Sequence, residues 1–484
     1  MRCVRSLAAS AAVALIAGCT GGEPAPSGSV PSPGPSGFAI SGSSSRIARF
    51  NDPLAALRAA GRAWLGTPPS RTPPPDAPPP DAPPPDNALD WQFVLTEPIN
   101  VTPALWVAGA TENNATDRMF AYGGYQGTEY LGAADDLYNA TPDIAWAETI
   151  DSKIDGSAIA LTPDGTKVYG VSSKGTVYGF NAADGSRATG FPVSLGHTVS
   201  WASPWIDFET QPYALYVADT AGNVTRIDTS TGTKTWSKNV CSKIHSSPIV
   251  WSGVVWVGCD DGQLYRLNPA TGALYGQKTN LCARSCTGND AIYSAPFIDS
   301  INNWLLVGVN NQVVALDISP SGCTTGTTCT PQFATVGSSA IFYSSPFADV
   351  AGGYVYIAFN NRLWRAPYDG TKSNPITAFQ QASHALGGVN NEQGYPKSSP
   401  MVFNGHVWVG DGAGYVNRFS SSDFSFEAVT PQYGATIDTT PLIDIAGGNI
   451  YYGTNGTTTT QHGHVTVSQN SGSWVQLAQN WTYP

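Results

Sequence analysis

The sequence predicts an all-β protein, an eight-bladed β-propeller behind a long N-terminal tether, with seven blades as the alternative count. Three observations lead there. Only 12% of the 484 residues are charged while 51 are glycine, a balance that cannot supply the polar faces of many amphipathic helices but suits short strands joined by turns. A tripeptide of the form Ser/Thr-Ser/Ala/Thr-Pro recurs, and with its degenerate copies its third position falls at residues 103, 159, 204, 248, 296, 346, 400 and 441. Between these marks apolar and polar residues alternate with period two between Gly, Asn and Asp turns, the pattern of antiparallel hairpins. Spacings of 41 to 56 residues leave room for four such strands, which is one propeller blade.

The N-terminal 87 residues are built differently. Met1 to Thr20 carries two arginines and an apolar run from Leu7 to Ala17, too short to span a bilayer and shaped like an export signal. Ile16-Ala17-Gly18-Cys19 resembles the lipobox of bacterial lipoproteins, which implies that residues 1–18 are a signal peptide and that Cys19 is lipidated. Two or three acyl chains would then anchor it stably. Residues 19–87 form a Gly/Ser/Pro-rich tether. Within it, Ile47, Phe50, Leu54, Leu57, Ala60 and Trp64 recur at helical spacing among four arginines, which predicts a short amphipathic helix over 46–65 that touches lipid head groups or the domain. Residues 67–86 approach a PPPDA repeat, a polyproline spacer of about 3.1 Å per residue and so on the order of 60 Å. Seventeen of the 37 prolines lie in these 87 residues, and the break in composition places the folded domain at 88–484.

Most units follow one plan. A first strand follows the tripeptide. A second ends in an aromatic or Val and then Gly, as in Tyr169-Gly170, Val257-Gly258 and Val409-Gly410. A tight turn such as Asp261-Gly262 or Asn360-Asn361 leads into an alternating third strand, and a fourth sometimes contains tryptophan, at Trp146, Trp236 and Trp474. Two segments compete to close the ring: Trp474 to Trp481 at the C-terminus, or the stretch around Trp91, which precedes Pro103 by the distance that separates Trp236 from Pro248.

VVWVGCDDGQLYRLNPATGALYG (254–276) and KVYGVSSKGTVYGFNAADGS (167–186) resemble the repeat of the pyrroloquinoline-quinone family of propellers. That family is shared by quinoprotein dehydrogenases and by the propeller lipoprotein of the outer-membrane β-barrel assembly machinery. The resemblance implies the fold over 88–484, and it leaves open whether the chain is an enzyme or a binding scaffold.

Of eight cysteines, six lie in the folded part, and in an oxidising compartment an even number reads as disulfides. Cys323 and Cys329 bracket a hairpin loop and are expected to pair. Cys241 with Cys259 and Cys282 with Cys286 is the preferred arrangement of the rest, all four lying at one end of a single blade. Only His245 offers itself beside them as a metal ligand, so no metal is expected.

In a propeller the first strand of each blade lines the central channel, so the residue before each tripeptide projects near its mouth. These are Asn100, Gly156, Trp201, His245, Tyr293, Tyr343, Lys397 and Asp438. Trp201, His245, Tyr293, Tyr343, Lys397 and Asp438 form the expected ligand-binding surface, with Lys397 and Asp438 on neighbouring blades able to pair. No catalytic residue is assigned. A quinoprotein needs a carboxylate base beside calcium and an aromatic floor for the quinone, and only one of the eight mouth positions is acidic. The acids Asp135-Asp136, Asp151 with Asp155, and Asp260-Asp261 read as turn residues. No CxxCH, HExxH or Gly-Lys-Ser/Thr loop occurs, and His462-Gly463-His464 has no sequence neighbour to complete a metal site. Seven arginines and five acids fall before residue 88, leaving 17 basic and 30 acidic residues, a net of −13, for the domain. That excludes a phosphate-binding footprint and with it nucleic acid. The expectation is therefore a monomeric, lipid-anchored scaffold without a cofactor, facing the periplasm or the cell surface. It would bind an envelope protein or a glycan. A dehydrogenase using pyrroloquinoline quinone with calcium is the alternative, and outer-membrane protein assembly a third reading.

Overall fold

Eight short strands start immediately after the eight tripeptide marks, beginning with Ala104–Trp106, Ala160–Leu161, Trp205–Asp207 and Ile249–Trp251. The other four are Phe297–Asp299, Phe347–Asp349, Met401–Phe403 and Leu442–Ile443. The computed structural model describes residues 91–95, 101–106 and 118–469, apart from 126, 136–142, 208–209, 283–289, 320–321, 324–328, 338–342, 388–397, 404, 430–435, 444–448 and 455–462. The signal segment, Cys19, the 46–65 and 67–86 segments, Asn100, Cys286, Lys397, His462 and Trp474 to Trp481 lie outside the described residues. Within the described residues every strand belongs to one of eight four-stranded antiparallel sheets and no helix occurs. Each sheet is a blade whose strands run outward in chain order, numbered here from the blade that starts at Ala104.

The exception to chain order closes the ring. Trp91–Leu95 forms the outermost strand of blade 8, paired antiparallel with Gly463–Gln469, Trp91 opposite Val467 and Leu95 opposite Gly463. Of the two competing closures, the structure thus uses the N-terminal one, and blade 8 is complete with it.

The tripeptide turns out to be the seam between blades. Its second residue presents a hydroxyl that accepts the backbone N–H of the equivalent residue one blade earlier. Ala158 donates to Ser203 Oγ at 2.9 Å, Ser203 to Ser247 Oγ at 2.9 Å, Ala295 to Ser345 Oγ at 2.9 Å and Ser345 to Ser399 Oγ at 2.9 Å. Ser399 then donates to Thr440 Oγ1 at 3.4 Å, and Thr440 to Thr102 Oγ1 at 3.1 Å, across 338 residues of chain. The two junctions where that residue is alanine, at 158 and 295, are bridged instead by Ile159 N–H to the Thr102 carbonyl at 3.5 Å and by Ser246 Oγ–H to the Ser294 carbonyl at 2.9 Å. The first hydroxyl works within the blade: Ser294, Ser344, Ser398 and Thr439 accept the N–H of Gly308, Ala358, Gly410 and Gly453 on the second strand. Proline at the third position costs no ladder bond because the innermost strand is an edge.

Second strands read as unbroken apolar runs because neighbouring blades cover both their faces; Ala214–Ala218, Val254–Gly258 and Trp304–Val309 are buried throughout. Outer strands such as Lys234–Asn239 are exposed along most of their length. Their tryptophans dock onto the next blade. The Trp146 indole donates to the Ala182 carbonyl at 3.0 Å and lies on Gly185, while Trp236 donates to the Pro269 carbonyl at 2.9 Å and lies on Gly272.

Candidate functional site

Among the described residues, the one before each tripeptide stands at the inner end of its blade, so the seam that orders the first strands also lines these residues up around the channel mouth. Four of the six expected site residues come together there. The His245 ring meets Tyr293 with centroids 4.8 Å apart, Tyr293 meets Tyr343 at 5.0 Å, and Tyr343 meets Trp201 at 5.8 Å. Trp201 belongs to blade 3 and Tyr343 to blade 6, so the last contact joins blades that are not neighbours. Asp438 holds the same position in blade 8, partly exposed. Lys397 lies outside the described residues, so its pairing with Asp438 does too.

Two further residues belong to the site. Asp260 reads in the sequence as a turn residue, yet its carboxylate oxygens lie 2.9 and 3.0 Å from His245 Nδ1. The signal was present in the hairpin register: Ile249 pairs with Trp256, and extending that ladder by four residues sets His245 opposite Asp260. Gly156, the mouth residue of blade 2, has no side chain because the Trp201 ring takes its place; a Cβ there would sit 2.7 Å from Trp201 Cε3.

Disulfides hold this end of blade 4. Cys241 is bonded to Cys259, and Asp260, next in the chain, donates its N–H to the Lys243 carbonyl at 3.0 Å. The loop before the first strand is thereby fixed to the turn after the second, which sets His245 against Asp260. Cys323 pairs with Cys329 as expected, and Cys282 is disulfide-bonded; its expected partner Cys286 lies outside the described residues.

Two carboxylates at the mouth are already partnered. Asp260 faces His245, and Asp155 has Lys153 Nζ at 3.4 Å and accepts the Ser200 hydroxyl at 2.8 Å. Burial, together with the neighbouring Asp260 charge and Tyr343, holds the Tyr293 phenol above its ordinary value, so it stays a proton donor at neutral pH. Among the described residues no three His, Cys, Asp or Glu side chains group as a metal site.

A family model described as outer membrane protein assembly factor BamB matches residues 210–423, just under half of the chain. No curated protein sequence matches it. Among solved structures, BamB from Moraxella catarrhalis is similar with a TM-score of 0.54 at 13% identity, covering 78% of this chain and 98% of that one. Sqt1 from Saccharomyces cerevisiae gives 0.57 at 14%, covering 79% and 99%. The computationally designed Ika8 protein gives 0.54 at 14%, covering 79% and 98%. At these identities the likeness is one of fold. The domain is a β-propeller, and the family match places pyrroloquinoline-quinone-like repeats over 210–423.

Proposed function

We propose that the protein is a non-catalytic binding scaffold of the bacterial cell envelope, anchored through Cys19 and held off the membrane by its proline-rich tether. Its channel mouth and loop edges would be presented to an envelope protein or a glycan. The observation that carries this reading is the mouth itself. It offers aromatic surface from blades 3 to 6 and carboxylates already engaged by His245 and Lys153, the composition of a recognition surface. Pyrroloquinoline quinone with calcium fits the described residues poorly. Among them no carboxylate set converges to hold calcium.

A second reading, a part in outer-membrane protein assembly, is favoured by the BamB family match over 210–423. Both readings are of a scaffold type, and one experiment separates them from the enzyme. Purified protein supplied with the quinone, calcium and an acceptor dye should reduce no dye with alcohols or sugars; reduction abolished by Asp438→Asn would establish the dehydrogenase instead. A photo-crosslinker placed at the mouth in cells should capture an envelope component, and capture of the outer-membrane assembly machinery would select the second reading.

A further inference from the structure

The backbone before the tripeptide is left-handed in two adjoining blades, at Gly156 with φ 69° and at Trp201 with φ 65°. Glycine adopts this conformation readily; a bulky L-residue is strained in it and persists only where its surroundings over-determine it. Here they do. The Trp201 N–H donates to the Asp155 carbonyl at 2.8 Å, Ser200 anchors to the Asp155 carboxylate, and the ring lies over Gly156 and against Tyr343. Blade 2 has the residue the backbone prefers, whereas blade 3 holds an indole at the mouth against that preference, with part of it exposed.

An independent observation points to a polar ligand at the same place. The His245 residue is 7% exposed, and with Nδ1 turned to Asp260 the neutral imidazole presents Nε2 as an acceptor. No described residue hydrogen-bonds Nε2. Nor does one hydrogen-bond the hydroxyl of Tyr293, whose ring packs on that imidazole.

We infer that the channel mouth binds a neutral saccharide, which lays a CH face on the rings of Trp201, Tyr343 and Tyr293, gives a hydroxyl proton to His245 Nε2 and accepts one from Tyr293. The inference rests on the binding-scaffold reading and names its ligand class. Charge argues the same way. Both Asp260 oxygens already face His245 Nδ1, and Asp155 has Lys153 Nζ and the Ser200 hydroxyl, so a ligand that must be held by a bare carboxylate finds none in either. The net −13 of residues 88–484 opposes a sulfated, phosphorylated or uronic glycan.

The test is titration of the full-length protein in detergent with a panel of neutral oligosaccharides, read by tryptophan fluorescence and calorimetry. At least one should bind. Trp201→Gly should weaken that binding by about tenfold or more while the melting temperature stays level or rises, because the strain is relieved. Tyr293→Phe, which keeps the ring and loses one hydroxyl, should weaken it by about threefold to tenfold and keeps the inference testable if Trp201→Gly fails to fold. No binding at about 10 mM of any neutral saccharide, binding only of charged glycans, or binding untouched by both substitutions overturns the inference. If saccharides fail but an envelope protein is still captured at the mouth, the scaffold reading survives alone. Quinone-dependent dye reduction overturns both.

Discussion

Ser203, Ser247, Ser345, Ser399, Thr440 and Thr102 each accept one backbone N–H from the blade before, so a single hydroxyl is the unit of blade joining. Ser345→Ala should lower stability by about 1 kcal/mol, the net worth of such a bond with its buried donor left unpaired, measurable by urea unfolding. The reverse change at a gap is also informative: Ala295→Ser should restore the missing acceptor for blade 4 and raise stability by about 0.5–1.5 kcal/mol. Larger side chains add a second tier of joining. Tyr216 and Tyr356 occupy equivalent places on the second strands of blades 3 and 6, and each donates its hydroxyl to a carbonyl of the next blade, Pro269 and Ser421, at 3.2 Å. Burial pushes both phenols up to about 12, against the partial opposition of Arg226 and Arg365. The folded state therefore keeps protons that the unfolded chain sheds near pH 10. Their contribution is full below pH 10 and declines as pH rises toward about 12, and Tyr216→Phe should flatten that alkaline slope in denaturation curves taken at stepped pH.

At the scale of elements, the outer strand of one blade is fastened to the next by a tryptophan. Trp146 is buried, its indole bonded to Ala182, and Gly185 lies against its ring with φ 73°. Both the conformation and the 2.6 Å approach of a Cβ to Trp146 forbid a side chain at 185. Trp146→Ala should cost about 3–5 kcal/mol, and Gly185→Ala should destabilise through strain at the same junction; calorimetry of the two variants compares them. The hairpin end of blade 4 is held covalently. Cys241–Cys259 closes a loop of 18 residues, so its removal should lower stability by about 3 kcal/mol. Because that bond also sets Asp260 against His245, the double variant Cys241→Ser/Cys259→Ser should loosen the mouth before the rest of the ring, visible as faster amide exchange at 243–246 and 260–262.

For the whole molecule, closure depends on Trp91–Leu95, which arrives from the N-terminal side to complete the last blade. The strand that seals the ring is thus the first described element after the tether. Truncation at residue 87 should leave the melting transition intact. Truncation at residue 95 strips blade 8 of its outer strand and should lower the transition by roughly 5 °C or more, with proteolysis starting in blade 8; equal melting of the two truncations would show that another segment closes the ring.

Blade number and blade order could be read from the chain because the tripeptide is a local device: a hydroxyl, a second hydroxyl and a proline each answer a fixed need at the start of an edge strand, and that need recurs eight times. The disulfide pairs Cys241–Cys259 and Cys323–Cys329 were legible for a similar reason, since each joins loops of one blade. The sequence by itself also singled out Trp201, His245, Tyr293 and Tyr343 as mouth residues, from their offset to the repeat. It did not reveal that Asp260 serves His245 rather than a turn, that Gly156 is bare to admit an indole, or which terminus closes the ring. Those were decided only when distant residues met: the Trp201–Tyr343 contact spans 142 positions and the Thr440–Thr102 bond 338. Local propensity fixes what a strand or turn can be, but closing a ring and filling its centre depend on where every blade finally stands.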